Sequence, residues 1–159
     1  MRRILVSACL LGRAVRYDGG AKTLSHPLLA RWVAEGRVVP FCPEIAAGLP
    51  TPRPPMEIAP GDDAAAVLDG PGRVLDRDGG DHAAAFREGA RLALAAARGC
   101  AFALLADRSP SCGSRAVHAG RFDGTLRAGA GATATLLARH GIRVFAEAEI
   151  DALAAALDE

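Results

Sequence analysis

Three cysteines of this chain each follow a short apolar segment with the composition of a buried strand. The pairs of segment and cysteine are residues 4–6 with Cys9, 38–41 with Cys42, and 101–105 with Cys112 after a short loop. The carboxyl ends of parallel strands lie at the same edge of a sheet, so these thiols would meet there although they are far apart in sequence. A lone free cysteine is most often a small buried hydrophobic residue, but three at equivalent strand ends indicate a shared site.

Three thiolates favour soft metals, which in proteins means zinc, copper(I) or an iron-sulfur cluster. The sequence contains no close C-x-x-C pair, and its four histidines lie near no cysteine, so a closed structural zinc site is disfavoured. Three protein ligands leave one coordination position open, as a catalytic metal requires. The fourth cysteine, Cys100, lies between a helix-ending glycine and the start of an apolar strand, and we expect it in the core.

Polar residues beside these cysteines could take part in a reaction at such a centre. Glu44 lies two residues beyond Cys42, and in an extended chain both side chains would point to the same side. It would then reach a metal-bound ligand, or alternatively be a solvated carboxylate or the partner of Arg53. Ser109 and Ser111 precede the third cysteine, where a hydroxyl can donate to a substrate or stiffen the loop as a turn residue.

The loop after the first cysteine adds two candidate substrate ligands. Arg16 and Asp18 flank Tyr17 and could bind a polar ring, although Asp18 before Gly19 is also an ordinary turn signal. The glycines between residues 120 and 131 form neither a strand-linked G-x-G-x-x-G nor a Walker loop with its lysine. The sequence therefore predicts no site for nucleotide phosphates.

The elements that must position these residues alternate between strands and helices. This alternation predicts one α/β domain over residues 1–159, a three-layer, Rossmann-like fold with a mainly parallel sheet. We expect a helix capped by Ser25, a stiff proline-rich loop over 48–60, a small hairpin or a peripheral strand over 67–75 and a helix capped by Asp81. A glycine-rich loop over 120–131, a strand over 142–145 and a closing helix over 149–157 should follow.

Composition limits the classes of partner. Lys and Arg number 19 against 18 Asp and Glu, which gives no basic surface for duplex nucleic acid or an anionic membrane. No apolar run reaches the 18 or so residues that span a bilayer, and the apolar stretch before Cys9 is too short for a secretory signal. We therefore expect a cytoplasmic protein, in which the four cysteines stay reduced and serve as ligands, nucleophiles or core residues.

These motifs together resemble the 2-thiouracil desulfurase family, long described as a domain of unknown function. The resemblance is carried, in order, by Cys9-Leu10-Leu11-Gly12 with Val15-Arg16-Tyr17-Asp18-Gly19, by Cys42-Pro43-Glu44 with Gly48-Leu49-Pro50-Thr51-Pro52-Arg53-Pro54, and by Ser109-Pro110-Ser111-Cys112-Gly113. It continues through residues 120–145 and so covers nearly the whole chain. The sequence departs from the family pattern only around residues 80–83, where a valine and a threonine are expected after the aspartate.

The resemblance implies a cofactor and a reaction. It implies a 4Fe-4S cluster held by Cys9, Cys42 and Cys112, with the fourth iron open to the sulfur of a small thiolated nucleobase. The implied reaction is the non-redox desulfuration of a thiolated pyrimidine such as 2-thiouracil, giving uracil and sulfide. Glu44 and, as the first choice of the two serines, Ser109 are the implied catalytic groups. Arg16, Asp18 and Ser111 remain candidates for substrate binding, and we expect Ser111, next to the third cysteine, to orient its loop.

A second class of function fits the same cysteines. A non-catalytic metal-binding or redox-sensing module could use three thiolates to hold zinc or an oxidisable cluster. The feature that separates the two is Glu44 together with Ser109 beside an open coordination position, since a sensor needs neither. An enzyme with a cysteine nucleophile is disfavoured because no histidine is placed to activate the thiol.

Overall fold

The computed structural model describes residues 1–159, and its central element is a four-stranded sheet in which every pair of neighbours is parallel. The strands are β1 (Arg3–Ser7), β2 (Val38–Phe41), β3 (Glu57–Ile58), β4 (Val74–Leu75), β5 (Cys100–Leu105), β6 (Ala116–His118), β7 (Leu126–Ala128) and β8 (Arg143–Ala146). The helices are α1 (Pro27–Ala34), α2 (Pro43–Ala46), α3 (Ala64–Asp69), α4 (Ala83–Ala96), α5 (Ala132–Arg139) and α6 (Ile150–Leu157). Two 3-10 turns cover Ala8–Leu11 and Glu147–Glu149.

The parallel sheet has the strand order β2-β1-β5-β8. Strand β1 is central because Ile4, Leu5 and Val6 are all buried, so that both faces of this strand are covered. It pairs with β2 through Ile4 and Val38, and with β5 through Ile4 and Phe102. The strands that precede the three cysteines are therefore consecutive in the sheet, with β1 between β2 and β5, and their carboxyl ends lie side by side.

Helices cover both faces of this sheet. On one face Ile4 and Val6 pack with Trp32 of α1 and Leu153 of α6. On the other face Leu5 packs in a cluster to which α4 and α5 contribute. This arrangement confirms the predicted three-layer α/β fold with a parallel sheet. None of the helices combines the length and the hydropathy needed to cross a membrane.

Two small antiparallel sheets lie outside the parallel one, where the sequence predicted loops. Residues 57–58, within the segment predicted as a stiff loop, pair with β4, and residues 126–128, within the predicted glycine-rich loop, pair with β6. Of the two alternatives for residues 67–75, the hairpin is wrong, because Val67 lies in α3, which Asp63 caps by accepting a hydrogen bond from the backbone N–H of Ala66. The other alternative, a peripheral strand, is present as β4. Strands of two or three residues are too short to show an alternating pattern.

Helix starts also differ from the predictions in detail. Helix α1 is capped by His26 and not by Ser25, because Nδ1 of His26 accepts a hydrogen bond from the backbone N–H of Leu28. Asp81 does accept the N–H of Ala83 at the start of α4, while the capping position itself is occupied by the next residue.

Helix α4 packs closely against Pro43, the residue after Cys42, at Gly89. A Cβ atom placed on Gly89 would lie 2.6 Å from the backbone oxygen of Pro43, so only glycine allows this contact. Glycine inside a helix costs about 1 kcal/mol relative to alanine. The close approach therefore fixes the position of α2, and of the cysteine before it, against the body of the protein.

We predict that Gly89→Ala lowers the free energy of unfolding by about 1–2 kcal/mol. The overpacking penalty of about 1–3 kcal/mol exceeds the gain in helix propensity. Urea unfolding checks this, with Gly70→Ala as the control, because a Cβ at Gly70 meets no atom within 4 Å. A Gly89→Ala protein as stable as the wild type would show that α4 does not hold Pro43 in place.

Candidate active site

The carboxyl edge of the parallel sheet opens into a cavity of about 530 Å³ that Cys9, Cys42 and Cys112 all line. Cys9 lies in the 3-10 turn that follows β1, Cys42 directly follows β2, and Cys112 lies in the loop after β5. Cys100 begins β5 at the other end of that strand, half-buried, and does not line the cavity. The structure thus brings together the three cysteines that the sequence predicted to converge, and separates the fourth from them.

Short hydrogen bonds hold the first and third cysteines in place. The hydroxyl of buried Ser7, at the end of β1, accepts a hydrogen bond from the N–H of Ala106 at 2.9 Å and so joins the ends of two strands. The Ser109 hydroxyl oxygen accepts the N–H of Cys112 at 2.8 Å. A Cβ on Gly131 would lie 2.5 Å from the backbone carbon of Ser111, so the start of α5 packs directly against this loop. The loop therefore has little freedom to move.

Glu44 is fixed by partners on both carboxylate oxygens. Its Oε1 accepts a hydrogen bond from Nε of Arg53 at 3.0 Å and forms an ion pair with Nη2 of the same side chain, also at 3.0 Å. Its Oε2 accepts a hydrogen bond from the Ser111 hydroxyl at 3.0 Å. The side chain is 16% exposed and lines the cavity. The chain at Glu44 is helical, because α2 begins at Pro43, so the expectation of an extended segment is wrong. The ion pair with Arg53 holds the Glu44 carboxylate at the cavity wall.

Arg53 joins this carboxylate to two further segments. Its side chain is 3% exposed, and its guanidinium donates to the backbone oxygen of Val15 at 3.0 Å and of Pro50 at 3.2 Å. Val15 belongs to the loop after Cys9, whereas Glu44 follows the second cysteine and its partner Ser111 precedes the third. One buried arginine and one carboxylate therefore connect all three cysteine-bearing loops. Sequence analysis considered this ion pair only as an alternative to a functional role.

The two serines of the third loop have different surroundings. Ser109 lines the cavity, and because its oxygen accepts the N–H of Cys112, its own hydrogen remains available to a ligand. Ser111 is 2% exposed and does not line the cavity. Ser109 therefore fixes the loop backbone at Cys112, and Ser111, expected to orient this loop, joins it to Glu44 through its hydroxyl.

Of the two residues after the first cysteine that we expected to bind substrate, only one lines the cavity. Arg16 lines the cavity, as does Tyr17 beside it. Asp18 does not line the cavity, and its Oδ1 accepts the N–H of Gly20 at 2.8 Å, which is the turn role that the sequence left open. The structure thus brings neither Asp18 nor Ser111 to the cavity wall.

Further residues that sequence analysis did not select also line the cavity. They include Lys22, Arg77, Arg108, His118 and Phe122. Two of these, Arg108 with φ of 77° and Phe122 with φ of 54°, are the only non-glycine residues of the chain with positive φ. Their segments lacked periodic patterns, so nothing in the sequence singled them out.

Burial and like charges disfavour ionisation of the cavity thiols. Burial raises the pKa of the Cys112 thiol, and the Glu44 carboxylate and the other two cavity thiols raise it further, against a hydrogen bond from Ser7 that lowers it. Burial and the neighbouring Cys42 raise the pKa of Cys9, while Arg16 and Lys22 lower it. Three ionised thiolates would therefore need a bound cation, which deprotonates a coordinating thiol outright.

The donor set fits an iron-sulfur cluster better than a single metal ion. No three His, Cys, Asp or Glu side chains lie close enough together to hold one ion. Thiolates around one zinc lie within about 4 Å of each other, given tetrahedral geometry and its bond length. A four-iron cluster binds each cysteine through a different iron and so accepts thiols that are further apart. The cavity also leaves open space beside its three thiols.

Comparisons with known proteins agree with one another. The family model described as 2-thiouracil desulfurase matches residues 4–149. The chain is similar to a solved structure described as the 4Fe-4S-dependent thiouracil desulfidase TudS, with 48% identity, a TM-score of 0.90 and coverage of 99% of each chain. It is also 37% identical over 150 residues to the uncharacterised protein YbbK of Bacillus subtilis (strain 168), which covers 93% of this chain and 97% of that protein.

We predict that Arg53→Met lowers the free energy of unfolding by about 3–5 kcal/mol, because it leaves the Glu44 carboxylate without its counter-charge in a mostly buried position. The double variant with Glu44→Gln should recover part of this loss, since the uncompensated charge is then gone. Urea unfolding of the wild type, Arg53→Met, Glu44→Gln and the double variant measures the coupling free energy between the two side chains. As the control, Arg73→Met removes a surface ion pair with Asp62 whose arginine is 55% exposed, and should cost less than about 1 kcal/mol. Equal losses at both arginines would contradict the prediction.

Proposed function

The chain belongs to the 2-thiouracil desulfurase family, and we propose that it uses a 4Fe-4S cluster to remove sulfur from a thiolated pyrimidine such as 2-thiouracil. The net reaction exchanges the thiocarbonyl sulfur for the oxygen of a water molecule, giving uracil and hydrogen sulfide. The carbon keeps its oxidation state, so the reaction needs no electron donor or acceptor. The observation that carries the proposal is one cavity lined by three cysteines, an anchored carboxylate and a free serine hydroxyl.

Cys9, Cys42 and Cys112 are the residues that would hold the cluster. When bound, the cluster supplies a Lewis acid with affinity for sulfur, because three cysteines leave one of its four irons without a protein ligand. The surroundings of the thiols support this role, since burial without a cation disfavours the three thiolates. Cys100 takes no part.

Glu44 is the proposed general base. Its carboxylate lines the cavity, and its two oxygens are oriented by Arg53 and Ser111. A carboxylate oxygen has more than one lone-pair direction, so these contacts leave acceptor capacity for a water molecule. Glu44 would take a proton from that water as its oxygen attacks the carbon that carries sulfur. Ser111 is then a positioning residue, since it acts on Glu44 and does not line the cavity.

Ser109 is the second proposed catalytic residue. Its oxygen accepts the N–H of Cys112 at the cavity wall, so its hydroxyl hydrogen is free to donate. It would donate a hydrogen bond to the ring at the reacting group and so stabilise charge that develops there. Arg16, which lines the cavity from the first loop, would contact the polar edge of the base.

The alternative of a zinc-binding module has no support from the geometry, because no three donors surround a single point. A redox-sensing cluster would have no use for a carboxylate held at the cavity wall by two partners. We also propose that residues 1–159 act as one domain, since the cavity is lined by residues from Ser7 to Gly124. A cytoplasmic location would keep the free thiols reduced.

We predict that alanine at Cys9, Cys42 or Cys112 abolishes cluster binding. Each variant removes one of three ligands, and the remaining two thiolates cannot hold the cluster firmly. After anaerobic reconstitution with iron and sulfide, the broad visible absorption and the iron content per chain should both be lost. Cys100→Ala is the matched control and should retain both. Loss of the cluster in Cys100→Ala, with retention in any of the other three, would show that the ligand set is wrong.

We predict that Glu44→Gln keeps the cluster absorption and lowers the rate of uracil formation by about 10² to 10⁴-fold, the usual effect of removing a proton-transfer group. Uracil is followed by chromatography during anaerobic incubation with 2-thiouracil, and sulfide is measured in parallel. Glu88→Gln on the surface of α4, whose side chain is 45% exposed, is the control. If cluster-loaded wild type makes no uracil from any thiolated pyrimidine, the sensor interpretation replaces the enzyme.

A further inference from the structure

The hairpin of β6 and β7 contributes residues to the cavity wall that the proposed chemistry does not use. His118 ends β6, Phe122 lies in the turn before β7, and both line the cavity. The backbone N–H of His118 donates to the oxygen of Arg108 at 3.3 Å. This bond attaches the hairpin to the segment that leads from β5 to the third cysteine loop, so the hairpin has a defined position beside the reacting groups.

The imidazole of His118 has an unsatisfied hydrogen-bonding capacity. Its Nδ1 is buried and has no hydrogen-bond partner, and Nε2 is the ring nitrogen that is not buried in this way. Proteins tolerate an unpaired buried lone pair better than an unpaired buried N–H, which favours the neutral tautomer with its proton on Nε2. In that tautomer the Nε2–H is the donor that this cavity residue can offer to a ligand.

Phe122 is held in an unusual backbone conformation beside this donor. Its φ of 54° is in the left-handed region, which a phenylalanine adopts only where its surroundings enforce it. Buried Glu57 provides part of that constraint, since its Oε1 accepts the N–H of Gly120 at 2.8 Å and of Phe122 at 3.4 Å. The constraint keeps an aromatic ring at the cavity wall, where it offers a flat apolar surface to a planar heterocycle.

We propose that His118 selects the type of base: its Nε2–H donates a hydrogen bond to the remaining exocyclic oxygen of a thiolated uracil, whose ring lies against Phe122. This inference rests on the proposed function. A thiolated cytosine carries an amino group in place of that oxygen, so two donors would face each other and both would lose their hydrogen bonds to water. A site of this kind discriminates strongly, because the unsuitable base leaves buried polar groups unpaired.

The test compares His118→Phe with the wild type, both cluster-loaded and anaerobic. For 2-thiouracil we expect kcat/KM to fall about 10- to 100-fold, mainly through KM, because a contact made before and during the reaction is lost. For 2-thiocytosine the change should be less than about threefold, so the preference between the two bases shrinks. His118→Gln, whose amide can still donate, should restore part of the preference. His140→Phe is the control, since His140 is exposed and does not line the cavity.

Equilibrium binding of uracil and cytosine by calorimetry on the same proteins reads out the selection without turnover. Wild type should bind uracil more tightly, and His118→Phe should lose that difference while keeping its cluster absorption and unfolding midpoint. Unchanged uracil affinity in His118→Phe, or equal losses on both bases in both His118 variants, would overturn the role of His118. Wild type that makes no uracil yet still distinguishes the two bases through His118 would refute the desulfurase activity and leave the base selection standing.

Discussion

The geometry of the site depends on the ion pair between Arg53 and Glu44. The arginine donates to the carboxylate and to the backbone of the first loop, and the carboxylate accepts from Ser111 in the third. The parallel sheet brings three strand ends to one edge, but strand ends alone leave their loops free to diverge. The ion pair joins the loops to each other across that edge. Arg53 is tolerated although its side chain is only 3% exposed, since every hydrogen bond that it donates goes to a carboxylate, a hydroxyl or a backbone oxygen.

The balance of charge in the cavity favours a bound cation. Neutral thiols are preferred while the cavity holds only protein, because burial and the nearby carboxylate oppose a negative charge on sulfur. Binding iron reverses that preference and releases protons, so the free energy of cofactor binding adds to the stability of the fold. Hydrogen bonds within the protein also connect the three cysteine-bearing loops, so the cofactor is not the only group that joins them.

The sequence predicted the parts of the fold that depend on long apolar runs and on strand ends. The strands around Leu5, Val39 and Ala103 are where the pattern indicated, and the cysteines after them line one cavity. The predictions were wrong where a single contact decides the structure, as at His26, which caps a helix through its ring nitrogen. They were also wrong for β3 and β7, which lie in segments predicted as loops, whereas β4 was one of two alternatives for its segment.

Glu44 illustrates a further limit of sequence reasoning. The expectation that it faces the site rested on an extended chain, whereas a helical turn and an ion pair bring it to the cavity. The partners of Glu44 lie 9 and 67 residues away along the chain, and no local pattern encodes such contacts. His118 and Phe122 were not selected for the same reason, since their surroundings are defined only by the folded hairpin.

The β6–β7 hairpin pairs with neither edge of the four-stranded sheet, although it forms part of the cavity wall. Side chains at its turn can change without disturbing the layers that hold the cysteine-bearing strands, whereas a change in those strands would affect packing on both faces of the sheet. The cavity is therefore built from two parts with separate supports, the layered sheet and a hairpin whose backbone is fixed by its own contacts. Related proteins could diverge in the molecules they accept through the hairpin while keeping one chemistry, which makes the hairpin the natural place to redesign ligand choice.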